Sequence, residues 1–106
     1  MPFKAESYDL SKHPQVGVLL NRAVSALEND RDEVAVDLGE SGAAFKFYMN
    51  VTRYIKAWST QMPESNPDKY KFSGVKVSKR GQQVVFTDAY DFESLDLVDS
   101  KTGEKI

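Results

Sequence analysis

The sequence predicts an α+β fold, with two helices packed on a small antiparallel sheet of three or more strands. Three observations predict it. Apolar residues recur at helical spacing over residues 14–29 and again over 41–62. Apolar and polar residues alternate over Glu33–Leu38, the period of a strand with one wet face. Two further short runs, YKFSGVKV and QVVFT, flank Lys79-Arg80-Gly81-Gln82, which has the composition of a hairpin turn.

At 106 residues the chain is expected to form one domain with one core. It divides into an N-terminal arm (1–13), a body (14–87) and an acidic C-terminal segment (88–106). With 41% hydrophobic and 28% charged residues, the composition is that of an ordinary soluble globular protein. The absence of Cys excludes a disulfide framework and a thiolate metal site. No apolar run approaches the roughly 20 residues that cross a bilayer, so no membrane association is expected. The first residues, MPFKAESYDLSKHP, lack the apolar core of a signal peptide, and the expected location is the cytoplasm, the host's if the chain is viral.

In the arm, Phe3, Tyr8 and Leu10 are placed to pin an irregular segment to the body. Pro14 suits the first position of a helix, where its missing N–H costs nothing. Val16, Leu19, Leu20, Ala23, Val24 and Leu27 then follow at helical spacing, and Asn29-Asp30 ends the run. Gly17 weakens the start of this helix by up to about 1 kcal/mol. After the strand, Gly39-Glu40-Ser41-Gly42 forms a turn, with Ser41 as the expected N-cap of the second helix.

The second helix, Ser41–Met62, organises the chain. At 100° per residue Ala44, Tyr48, Val51, Ile55, Trp58 and Met62 share one sector, flanked by Phe47 and Tyr54, and this sector is the expected core face. Lys46, Asn50, Arg53, Ala57 and Thr60 fall opposite, with Phe45, Met49, Thr52 and Lys56 between the two. Pro63 and Pro67 stop the helix. Lys69–Ser78 then reads as a strand in which Tyr70 and Phe72 share a face and Gly74 introduces a bulge. Lys69, Lys71 and, after the bulge, Lys76 take the outward face, which runs to a Lys79-Arg80 tip. Gln83–Thr87 is the returning strand.

Charge is distributed in blocks. Residues 1–40 carry four basic residues against eight carboxylates, residues 41–86 carry eight against two, and residues 87–106 carry two against six. Blocks of this kind set local potential and so bear on partners. Catalysis is hard to build from these residues. A single His and no Cys provide no paired-ligand metal site, and His13 at a helix start suits a surface or capping place. The carboxylates Asp30, Asp32, Glu33 and Asp37 lie in a polar turn and on a wet strand face, without the desolvation that shifts a catalytic carboxyl. Gly39-Glu40-Ser41-Gly42 lacks the Lys of a phosphate-cradling loop. The expectation is a non-enzymatic protein with no cofactor and no metal.

The central block combines the two chemistries that single-stranded nucleic acid requires, cations for phosphates and aromatic faces for unstacked bases. Its candidate contact residues are Phe45, Lys46, Arg53 and Lys56 on the second helix and Lys69, Tyr70, Lys71, Lys76, Lys79 and Arg80 on the hairpin, with the hairpin as the favoured surface. The plain alternative is that the aromatics are core and the lysines a solvated face.

From Asp88 the chain alternates carboxylates with Tyr90, Phe92, Leu95, Leu97 and Val98. In composition this segment resembles the acidic C-terminus of bacterial single-stranded-DNA-binding proteins, although Lys101 and Lys105 interrupt it. Taken with Lys46, Arg53, Lys56, Lys69, Lys71, Lys76, Lys79 and Arg80, it gives a chain similar in type to the small bacteriophage single-stranded-DNA-binding proteins that act as RNA polymerase cofactors. That resemblance implies a fold other than the oligonucleotide-binding barrel, binding to a displaced strand in transcription or replication, and contact with RNA polymerase through the acidic segment. A homo-oligomer would join the basic surfaces into a track. The competing expectation, drawn from the two acidic blocks, is a DNA-mimicking or protein-binding inhibitor of a host enzyme.

Overall fold

The computed structural model describes residues 3–29, 31–88 and 95–106. Two helices, α1 (Pro14–Glu28) and α2 (Ser41–Gln61), pack on one face of an open antiparallel sheet of β1 (Glu33–Asp37), β2 (Val75–Arg80) and β3 (Gln83–Asp88). The arrangement is α+β and is not a closed barrel. The strand order is β1-β3-β2. Because β3 is antiparallel to both neighbours, β1 and β2 run parallel, and β1, α2 and β2 form a split β-α-β unit whose gap β3 fills.

The register follows from the apolar pattern. Val34 pairs with Phe86 and Phe86 with Val77, while Val36 pairs with Val84, so these side chains line the face beneath the helices. Above them Leu20, Ala44 and Val51 are completely buried, joined by Tyr54 and Phe72. Gly17 has a packing reason that outweighs its propensity cost. A Cβ there would lie 2.5 Å from the Tyr54 hydroxyl, so the missing side chain lets α1 and α2 approach. Gly81, at φ +59°, turns β2 into β3 as expected.

Several local expectations are corrected. Lys69–Gly74 is not strand. Successive turns, Asn66 to Lys69, Asp68 to Lys71, Tyr70 to Ser73 and Phe72 to Val75, coil this segment beneath the end of α2, and the strand begins only at Val75. Tyr70 and Phe72 therefore part company: Tyr70 is 58% exposed and Phe72 is core. Gly74 precedes the strand and is no bulge. Lys79 and Arg80 lie within β2, and the turn is Gly81-Gln82 alone. Ser41 is the first residue of α2, and Glu40 occupies the N-cap without a side-chain bond.

The buried sector of α2 is also wider than its apolar stripe. Ala57, assigned to the outer side, is completely buried, and Asn50 is half-buried. The N-terminal arm accounts for both. It forms two short 3-10 turns, Ala5–Ser7 and Leu10–Lys12, and lies along α2. Tyr8 and Leu10 pack against the core, as expected for pins. The Gln61 amide donates to the Ala5 carbonyl at 2.8 Å, and the Tyr8 hydroxyl donates to Asn50 Oδ1 at 2.6 Å.

Within the acidic segment, residues 95–106 close on themselves as a small hairpin. Ile106 N–H donates to Leu97 O and Asp99 N–H to Glu104 O, while Gly103 turns the chain at φ +75°. Tyr90 and Phe92, counted in the acidic–apolar alternation, lie outside the described residues. No helix of the described residues is long and apolar enough to cross a membrane.

Candidate nucleic-acid interface

With the arm covering one flank of α2 and the sheet another, a single strip of the helix remains open. Phe45, Lys46, Arg53 and Lys56 are exposed along it and Met49 is partly so. Phe45 is 55% exposed, an unusual state for a Phe on a helix that contributes four fully or nearly buried residues elsewhere. No ion pair among the described residues involves Lys46, Arg53 or Lys56. Three cations without a carboxylate partner among the described residues thus run along the strip from Phe45, Lys46 beside it and Arg53 and Lys56 about two and three turns on.

Beside this strip the arm and helix enclose a groove of about 430 Å³ lined by Tyr8, His13, Phe45, Lys46, Met49, Asn50 and Arg53. Its wall is ordered. The Tyr8 and His13 rings stack at 5.0 Å, the Phe3 ring meets Tyr8 edge-on at 5.8 Å, and the Arg53 guanidinium lies 5.6 Å from the Phe3 ring centre. Burial, and then the neighbouring Tyr54, push the Tyr8 phenol above its ordinary pKa, and Arg53 opposes them. The Tyr8 phenol, protonated at neutral pH like any tyrosine, donates to Asn50. His13 holds the N-cap position of α1 without a capping bond, its Nδ1 lying 3.5 Å from Asn50 Nδ2. A groove with aromatic and thioether sides and cations at its rim has the chemistry to seat a flat base and its phosphate.

The cations predicted for the hairpin are more engaged within the fold than their sequence suggests. Lys76 and Arg80 share the outer sheet face, but Lys79 points to the helix side, where its ammonium donates to Ser41 Oγ at 2.8 Å. Arg80 is engaged with Glu33 at 2.7 Å. Lys69 and Lys71 are not on the sheet. The Lys69 ammonium donates to the Met62 carbonyl at 2.7 Å and sits 3.4 Å from Glu64, its side chain only 12% exposed. It neutralises the C-terminal end of α2, where carbonyls lack helical partners. The Lys71 ammonium lies over the Trp58 and Phe72 rings, at 4.6 and 4.9 Å. The Tyr70 hydroxyl donates to Glu64, a bond that raises its pKa.

The ten predicted residues thus separate. Phe45, Lys46, Arg53 and Lys56 lie along α2, Lys76 stands apart on the outer sheet face, Lys69, Lys71, Lys79 and Arg80 have their charged groups engaged within the fold, and Tyr70 keeps an exposed ring with its hydroxyl bonded to Glu64. Tyr8, His13 and Asn50 enter the groove without having been singled out as contact residues. Asn50 shares the Lys46-Arg53 side on a helical wheel, and that was the available signal. Comparison of the chain with protein-family models, curated proteins and solved structures returned no match.

Proposed function

We propose that the protein binds single-stranded nucleic acid, DNA in the first instance, along the exposed strip of α2 and the groove beside it, without performing chemistry on it. The observation that carries the reading is the open strip of α2: Phe45 is more than half exposed, Lys46 adjoins it, and Arg53 and Lys56 follow about two and three turns further along, none of the three paired with a carboxylate among the described residues. An exposed aromatic serves base stacking and free cations serve phosphates. Holding an unpaired strand suits transcription or replication, with a second copy extending the track and the segment from Asp88 available to another copy or to a polymerase. The DNA-mimic reading is less well supported, because Glu33 and Asp37 on β1 are already engaged by Arg80 and Gln82.

Fluorescence anisotropy with a labelled single-stranded oligonucleotide at low and moderate salt tests the proposal. Binding that weakens with salt is expected, since phosphate contacts release counterions. Binding that is absent at low salt, or indifferent to salt and to Phe45→Ala, overturns it.

A further inference from the structure

We infer that the hairpin at residues 95–106 is an exchange element, whose apolar face seats in the groove between α1 and β1 of a second copy, and reciprocally, to make a homodimer. The inference stands on surfaces separate from the α2 strip and does not depend on nucleic-acid binding.

Val98 bridges Lys105 in antiparallel register, so Leu97 and Ile106 face each other across the hairpin. By strand alternation Leu95 belongs to the same side, while Asp96, Val98 and Lys105 take the other, where Lys105 pairs with Asp96 at 3.1 Å. Leu95, Leu97 and Ile106 are 56%, 75% and 86% exposed. A closed hairpin with one apolar face in water is incomplete, because two strands alone bury too little to be stable.

The body offers the matching surface. The two helices divide the sheet: α2 packs over β2 and β3, and α1 packs over β1 and β3 with a hollow left between it and β1. Two hollows of about 430 and 480 Å³ share Leu19 and Arg22 and run along α1. Val34 and Val36 line one, Phe47 closes the other and Val18, 60% exposed, forms the rim. β1 is an edge strand, and no strand of the described residues pairs with its outer side, where an incoming strand could add. Among the described residues Arg22 is the one charged residue lining either hollow, and the same alternation puts Asp99 and Glu104 on the hairpin face of Leu97 and Ile106, a sign complementary to Arg22. Each copy has one groove and one hairpin, so a reciprocal exchange is self-complementary and closes at two.

Sedimentation velocity of the full chain across a range of concentrations tests the inference, using Leu97→Asp in the hairpin and Val18→Asp on the groove rim. Both side chains are exposed, and circular dichroism verifies that the variants fold. A concentration-dependent dimer is expected, with each variant weakening dimerisation by at least about tenfold. An equimolar mixture of the two variants is expected to recover part of the dimer, because one copy keeps its groove and the other its hairpin. Oligonucleotide binding at the α2 strip is expected to survive in the variant monomers, which separates this inference from the proposed function. A wild type that stays monomeric, a dimer indifferent to both substitutions, or hairpin amides protected from exchange in a monomer at every concentration would each overturn it, the last by placing the hairpin in its own groove.

Discussion

Arg80 reaches Glu33 at 2.7 Å across the outer face of the sheet. Arg80 pairs with Gln83 and Glu33 with Thr87, so the bridge runs diagonally from β2 to β1 and crosses β3 at Val85. Val85 is 1% exposed although it faces away from the helices. As an exposed pair the bridge contributes little stability, and Arg80→Ala is expected to cost no more than about 1 kcal/mol in chemical denaturation. The same variant is expected to leave oligonucleotide affinity nearly unchanged, since its guanidinium is already engaged.

Removing Lys46, Arg53 or Lys56 should behave differently. Each substitution by Ala is expected to weaken oligonucleotide binding and to reduce the slope of log affinity against log salt by about 0.7, the share of one single-strand phosphate contact. Anisotropy titrations at several salt concentrations measure both. Equal effects from Arg80→Ala would return the site to the hairpin.

Gly17→Ala sets two effects against each other. Ala is the better helix former by about 1 kcal/mol. Its Cβ would meet the Tyr54 hydroxyl at 2.5 Å, and Tyr54 is held between Tyr8, Trp58 and Phe72. Overpacking at a fixed ring costs roughly 1–3 kcal/mol, so a net loss of stability is expected. The double variant Gly17→Ala/Tyr54→Phe removes the clashing oxygen and should recover most of the loss in a thermal melt.

Lys69→Met tests whether a cation in the basic block is architecture. The substitution keeps the apolar stem and deletes the bond to the Met62 carbonyl. A loss of about 1–2 kcal/mol is expected in denaturant titration, with oligonucleotide affinity unchanged once folding is verified.

Acid should weaken the β1–turn junction. The Asp37 carboxylate accepts from Gln82 Nε2 at 2.9 Å on each oxygen and from Gly39 N–H at 2.8 Å, and these bonds hold its pKa below the ordinary carboxylate value. A depressed folded-state pKa makes the stabilisation complete above the unfolded value, roughly pH 4, and removes it as pH falls through the folded value. Asp9 and Asp99, held low mainly by bonds from Ser11 and Lys101, act in the same direction. Asp37→Asn is expected to flatten this acid limb. Stability measured between about pH 2 and 6 checks it.

The amino-acid sequence determined the number and kind of elements, because periodicity is local. The spacing of Val16, Leu20, Ala23 and Leu27 is a helix whatever it packs on, and Val34 and Val36 alternate whatever their partner. It also determined that one central block would be basic. Which of those cations remain available was decided only in three dimensions. Lys69 lies seven residues beyond Met62, Lys79 lies 38 beyond Ser41, and Arg80 lies 47 beyond Glu33; such pairings depend on strand order and on the coil after α2, and no local pattern encodes them. The failed strand at Lys69–Gly74 has the same origin. Its alternation was real, but burying Phe72 against Trp58 and Tyr54 drew the segment into turns beneath the helix. The open strip on α2 is likewise a remainder, the part of the helix that neither the sheet nor the arm covered.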